Sequence, residues 1–233
     1  MANVQELKQY RNIHLIGIGG TSMSGIAQIL KHWGYNVTGS DANASDNTEK
    51  LINSKIYVTI GSDPSILNNV DLVIYSAAIR DTDPELSRAR ELGIPTIERG
   101  PFLGQLTHSF RNTISISGTH GKSTTSAMVS MCFIEAKQDP TIQIGANIPA
   151  INGNYRLGNS ENFIIESCEY ADSFLSFAPK AEIILNIDND HLDYFKNLDN
   201  IKAAFVKFVK LLPDDGILVY NADDENCSHI SKN

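Results

Sequence analysis

Twice along this chain an apolar run of strand length breaks into glycines and then into a helical pattern. The first is IHLIGIGGTSMSGIA, from Ile13 to Ala27, and the second is TISISGTHGKSTTSAM, from Thr113 to Met128. A strand that enters a glycine turn and leaves as a helix opens a βαβ unit, so each run demands a parallel partner further on. YNVTGS, KIYVTI, DLVIYS and IPTI follow the first turn, with helical patterns over residues 22–33, near Asn47 and over residues 84–92. PTIQI, NFIIE, AEIILNI and GILVY follow the second, with helical patterns over residues 122–136 and 198–211. Gly34 and Gly93 stand where helices stop, and Pro84 where one starts. The pattern predicts an α/β chain with two parallel sheets. ERGPFLGQLTHSFRN interrupts it and places a boundary near Thr107. Residues 1–107 read as a Rossmann-like domain, and residues 108–233 as a P-loop-type α/β domain whose sheet ends early. INGNYRLGNSEN, from Ile151 to Asn162, reads as a mobile loop.

The two glycine turns differ in chemistry. The first carries Gly17, Gly19 and Gly20, has Ser22 where a dinucleotide fingerprint has its third glycine, and is followed by Asp41 at the end of the next strand. It suits a ligand phosphate at the helix N-terminus with Asp41 on ribose hydroxyls, and a nicotinamide, a flavin or a sugar nucleotide fits it equally. An oxidoreductase therefore stands as a competing class. The second turn departs from the general P-loop, because Ile116 occupies the place of its first glycine, with Gly118 closer in. Its working parts are present nonetheless: backbone N–H groups to cradle phosphate, Lys122 to neutralise charge, and the Ser123 hydroxyl to ligate magnesium. Hydride transfer has no use for such a loop, which weighs against the oxidoreductase.

The strand NFIIE ends in Glu166, and AEIILNI runs into DNDHLD. Ligands gather beyond the carboxyl ends of parallel strands, so Glu166 and the turn from Asp188 to His191 should converge on the second loop. Ser123, Glu166 and phosphate oxygens suit a hard cation. His191 is a site candidate, and Glu169, Asp188 and Asp190 are further ones, whereas His14 inside an apolar strand reads as core. A formal charge of −8 with no stripe of lysine or arginine excludes a nucleic-acid partner. No apolar run approaches the ~20 residues of a membrane helix, and MANVQELKQYRN has no signal-peptide core, so the expectation is a cytoplasmic protein. Cys132, Cys168 and Cys227 are widely spaced and read as reduced thiols.

GIGGTSMSGIA, GYNVTGSD, VIYSAAI, SGTHGKSTT, FIIESCEYADSFL and NIDNDHLDYF, in this order and spacing, resemble the Mur ligases of peptidoglycan synthesis. The resemblance spans nearly the whole chain, and a GTHGK[ST]T loop after a GIGGxxMSGIA loop points to the branch that joins L-alanine to UDP-N-acetylmuramate. It implies three domains, for the UDP-sugar, ATP and the amino acid, of which the first and part of the second are represented here. By motif it places Gly17, Gly19, Gly20, Met23, Ser24, Asp41 and Ser76 at the UDP-sugar. Gly118, Thr119, His120, Gly121, Lys122, Ser123 and Thr124 fall at the ATP phosphates. Ser123 and Glu166 fall on one Mg2+ ion and His191 on a second metal, so the implied catalytic residues are Lys122, Glu166 and His191. Val206 falls near the place where some members carry a carbamylated lysine. The implied reaction is phosphorylation of the lactyl carboxylate by ATP and attack of the L-alanine amine on the acyl phosphate. The chain itself is expected to bind the sugar nucleotide without turnover. A murein-recycling peptide ligase acting on the same UDP-sugar is the nearest rival, followed by a folate polyglutamate ligase and a non-catalytic nucleotide-binding module.

Overall fold

The computed structural model describes residues 7–230. The chain divides into two compact units, Met1–Leu103 and Gly104–Asn233. The first contains β1 (Asn12–Ile16), α1 (Thr21–His32), β2 (Asn36–Asp41), α2 (Asp46–Asn53), β3 (Tyr57–Ile60), β4 (Leu72–Tyr75), α3 (Pro84–Glu91) and β5 (Thr96–Glu98). Helix α4 (Arg99–Thr107) contains the division between the units. The second holds β6 (Asn112–Ser117), α5 (Lys122–Glu135), β7 (Thr141–Ile148), β8 (Gly153–Arg156), β9 (Asn162–Glu166), β10 (Ala181–Ile184), α6 (Leu192–Phe195), α7 (Leu198–Val209), β11 (Ile217–Tyr220) and α8 (Glu225–Ile230).

The first sheet runs β3-β2-β1-β4-β5 with all pairs parallel. β1 is central, and Ile13, Leu15 and Ile16 are buried along it because helices cover both faces. Met23, Ile26, Ala27 and Leu30, spaced three, four and seven apart, form the buried stripe of α1. The chain leaves β1 towards β2 on one side and later returns to β4 on the other, so the loops after β1 and β4 diverge and open a crevice at the Gly17 turn. His14 is fully buried, with Nδ1 2.9 Å from Thr38 Oγ1 and Nε2 3.3 Å from Glu85 Oε2. Glu85 also accepts from the Ser40 hydroxyl and, at 2.7 Å, from the Asp63 N–H. Burial pushes the Glu85 carboxyl up, but the hydrogen bonds from His14, Ser40 and Asp63 outweigh it and hold the group below the usual range.

The second sheet runs β11-β10-β6-β9-β7-β8, parallel except for β8, which lies antiparallel to β7. That strand corrects the reading of residues 151–162 as a mobile loop. GNYR has too little apolar alternation to announce itself, and the ladder is clipped by polar groups instead. Arg156 donates to the Pro140 carbonyl at 2.7 Å and to Asp139 at 2.6 Å, and Asp139 also accepts from the Asn159 N–H at 2.9 Å. Together these bonds, with that of Asn159 first, hold the Asp139 carboxyl down at about 2. One face of the sheet packs Ile114, Ile116, Ile142 and Ile164 against Val129, Phe133 and Ile134 of α5. The other packs Ile184 against Phe205 and Phe208 of α7 and against Phe174, whose ring stacks on Phe208 at 4.3 Å. Glu182 also lies fully buried in β10, and neither carboxylate oxygen has a partner among the described residues. Ser115, its neighbour across the ladder, has an unpartnered hydroxyl too. Desolvation pushes the Glu182 carboxyl up to about 9. No helix among the described residues is long and apolar enough to cross a membrane.

Candidate functional site

Helices need partners for their first N–H groups. Ser45 supplies one at α2, Asp83 at α3 and Asn197 at α7. The residues before α1 and α5 are Gly20 and Gly121, and neither end has a side-chain cap. These are the two helices that follow the glycine turns, and a helix N-terminus is the end at which an anion is stabilised.

At the first turn Gly17 has φ +79°, and a Cβ there would lie 3.1 Å from the Ser76 Cβ, so the residue must be glycine for β1 and β4 to end side by side. Asp41 Oδ2 accepts the Gly19 N–H at 2.9 Å, and Asn47 donates to the Gly19 carbonyl at 2.9 Å. The carboxylate thus shapes the turn while its other oxygen accepts from Asn43 at 3.1 Å. Gly17, Gly19, Gly20, Asp41 and Ser76 are brought together at this turn. Met23 and Ser24 are not presented with them: both are buried in α1, and the Ser24 hydroxyl donates to the Thr21 carbonyl at 2.9 Å.

At the second turn, Thr119, His120, Gly121, Lys122, Ser123, Thr124 and Glu166 line a cleft of about 310 Å³. The Ser123 hydroxyl donates to Glu166 Oε2 at 2.9 Å, and the same oxygen accepts the Gly145 N–H at 2.8 Å. A hydroxyl and a carboxylate converging at the mouth of a phosphate loop form an all-oxygen donor pair of the kind a magnesium ion takes, so these residues fit that group. Lys122 Nζ turns back onto the loop, donating to the Gly118 carbonyl at 2.6 Å and lying 3.2 Å from Glu169 Oε2.

His191 offers a ring nitrogen that groups with carboxylate oxygens of Glu169 and Asp190, all within 4.8 Å of one another. The ring of Tyr170 packs against it with centroids 4.7 Å apart. Tyr194 donates to Asp172 at 2.9 Å, a bond that holds its hydroxyl above the usual range. Ala171, Asp172 and His191 all have left-handed backbone, at φ 54°, 55° and 50°, strain of a kind that concentrates at functional sites. Asp188 is turned elsewhere: its carboxylate accepts from Asn189, while its backbone N–H donates to the Thr119 hydroxyl at 2.9 Å.

Sequence reasoning missed Asn186. It follows β10, its side chain accepts the His120 N–H at 2.7 Å and donates to the His120 carbonyl at 2.9 Å, and its own carbonyl accepts the Thr119 N–H at 3.0 Å. Gly118, at φ +139°, passes so close that a Cβ would lie 3.1 Å from the Asn186 backbone. The strand end is the template on which the loop is held. Asn186→Ala removes two side-chain hydrogen bonds worth about 1 kcal/mol each, and the expected result is ADP binding weaker by up to about thirtyfold by calorimetry. The only sequence signal is its place as the first polar residue beyond an apolar strand.

A lysine and a hydroxyl at an uncapped helix, faced by a carboxylate from the neighbouring strand, are the parts of a phosphate-binding loop in an α/β fold. Comparison with known proteins narrows the class. The family profile described as "Mur ligase family, catalytic domain" matches residues 12–111, and "Mur ligase middle domain" matches residues 116–233. The chain belongs to the Mur ligase family. It is 50% identical over 95% of its length to the UDP-N-acetylmuramate–L-alanine ligase of Clostridium novyi, and 44% identical over 99% to that of Acetivibrio thermocellus. These matches cover 48% and 49% of the relatives, so the chain spans about half the length of the curated relatives it matches. Among solved structures, the UDP-N-acetylmuramate–alanine ligase of Thermotoga maritima superposes with a TM-score of 0.86 at 32% identity, covering 95% of this chain and 51% of that one. The UDP-N-acetylmuramate:L-alanyl-γ-D-glutamyl-meso-diaminopimelate ligase of Neisseria meningitides does so at 0.85 and 26%, covering 95% and 74%.

Proposed function

We propose that this chain carries the UDP-sugar and ATP sites of a cytoplasmic ligase that joins L-alanine to UDP-N-acetylmuramate for peptidoglycan synthesis. The observation that carries the reading is the second loop, where Lys122 and Ser123 open the uncapped helix α5 and Glu166 faces them. Identity of 44% to 50% to relatives bearing that name supports the choice of substrates. The unit Met1–Leu103 binds UDP-N-acetylmuramate at the Gly17 turn, and the unit Gly104–Asn233 binds ATP.

The N–H groups of the loop and of the first turn of α5 hold the phosphate oxygens, and Lys122 neutralises the charge that grows on the transferring group. Ser123 and Glu166 would hold a magnesium ion, and His191 with Glu169 and Asp190 a second cation. Such ions supply charge neutralisation when bound. The lactyl carboxylate oxygen takes the γ-phosphoryl group, ADP leaves, and the amine of L-alanine then attacks the acyl carbon and expels phosphate. Phosphoryl transfer of this kind asks for positioning and fixed positive charge rather than a protein nucleophile. A peptide acceptor is the second reading, favoured by the likeness to the Neisseria enzyme at 26% identity.

The test is a calorimetric titration of the chain with UDP-N-acetylmuramate and, separately, with NAD. Binding of the sugar nucleotide without binding of NAD is expected. The reverse would make the first unit a dinucleotide domain and overturn the proposal.

A further inference from the structure

Lys122 carries three donatable protons, and its acceptors are two loop carbonyls and a carboxylate. Nζ lies 2.6 Å from the Gly118 carbonyl, 3.2 Å from the Thr119 carbonyl, and 3.4 and 3.2 Å from the two oxygens of Glu169. The pair is largely out of water, with side-chain exposures of 14% for Lys122 and 2% for Glu169. An incoming phosphate must therefore take the lysine away from a buried carboxylate whose charge is of the same sign as its own. A buried carboxylate left without its partner is costly, so Glu169 needs another cation as Lys122 departs. Asp190 and His191 place two more ligand atoms within 4.8 Å of it.

We propose that Glu169 is an exchange carboxylate, paired with Lys122 in the phosphate-free loop and transferred to a divalent cation, shared with Asp190 and His191, when nucleotide claims the lysine. The proposal rests on the nucleotide reading of the loop. Its consequence is positive coupling: the cation stabilises the state in which Lys122 is free, and the nucleotide stabilises the state in which Glu169 is free, each by the same factor. Glu169 is thus a positioning residue that acts through Lys122.

The test uses the 233-residue chain, with ADP titrated calorimetrically in chelator and again with Mn2+, and Mn2+ alone followed by electron paramagnetic resonance. Glu169→Gln releases the lysine and removes the opposing charge, so metal-free ADP should bind about tenfold more tightly than to the wild type. Mn2+ alone should bind more weakly, and the gain in ADP affinity on adding Mn2+ should shrink. Glu169→Asp, which keeps the charge but withdraws the oxygens from Nζ, should move metal-free ADP binding in the same direction by a smaller factor. In a Lys122→Met background the benefit of Glu169→Gln should fall, because the pair is already broken. Unchanged or weaker metal-free ADP binding by Glu169→Gln and Glu169→Asp, beside a wild type that binds ADP, overturns this proposal alone. A wild type that binds no ADP overturns it together with the nucleotide reading.

Discussion

A Lys122→Ala chain should bind ADP in the presence of magnesium about a hundredfold more weakly than its parent. One charge-assisted hydrogen bond to phosphate is worth about 1.5 to 3 kcal/mol, and every 1.4 kcal/mol is about tenfold in affinity. In the metal-free chain the substitution also leaves the buried Glu169 carboxylate without its lysine. The same uncompensated charge should lower folding stability, since breaking a buried pair from one side is strongly destabilising. Urea unfolding of Lys122→Ala and of the double variant Lys122→Ala/Glu169→Gln separates the two effects. The double variant should regain most of the stability but not the ADP affinity. Near-parental ADP affinity in a folded Lys122→Ala chain would remove the lysine from the phosphate site.

The second large effect concerns stability and lies away from both loops. Glu182 is a carboxylic acid buried in β10 without a partner, with its pKa raised from 4.5 to about 9. The folded chain keeps the proton where the unfolded chain has lost it, so the contribution of Glu182 to stability is most favourable below pH 4.5, falls as pH rises towards 9 and is level above that. At pH 7 the cost is about 3 kcal/mol, at about 1.36 kcal/mol for each pH unit above the unfolded value. Glu182→Gln should remove this slope and unfold about 3 kcal/mol less readily at pH 7. Glu182→Met should gain more by also removing a polar group that has no hydrogen bond. The measurement is urea unfolding of parent and variants between pH 5 and 9. Curves that stay parallel across that range would mean the carboxyl is solvated or bonded.

Much of this architecture is legible in the residues. β1 and β6 announce themselves as apolar runs entering glycine turns, and α1 through its stripe from Met23 to Leu30. Lys122, Ser123 and Glu166 are legible because a parallel sheet sends strand ends and the following loops to one edge. Other features depend on contacts that no local pattern carries. β8 is held by Arg156 reaching back to Asp139, and neither residue marks a strand. Glu169 follows β9, just ahead of the left-handed residues Ala171 and Asp172, and meets Lys122 from a different element, so its pairing is a product of the tertiary fold. Asn186 clamps His120 across 66 residues of sequence. Glu182 reads as one polar position in an apolar strand, and only the packing of α7 on that face turns it into a buried acid.

Two glycine turns, each opening an uncapped helix in its own unit, should hold two different nucleotides at once. Calorimetry tests this most directly by titrating UDP-N-acetylmuramate into the chain alone and into the chain saturated with ADP and magnesium. The expected result is one UDP-N-acetylmuramate bound per chain in both titrations. Loss of UDP-N-acetylmuramate binding on saturation with ADP would mean that the two compete for one loop and would contradict the assignment of the Gly17 turn to the sugar nucleotide.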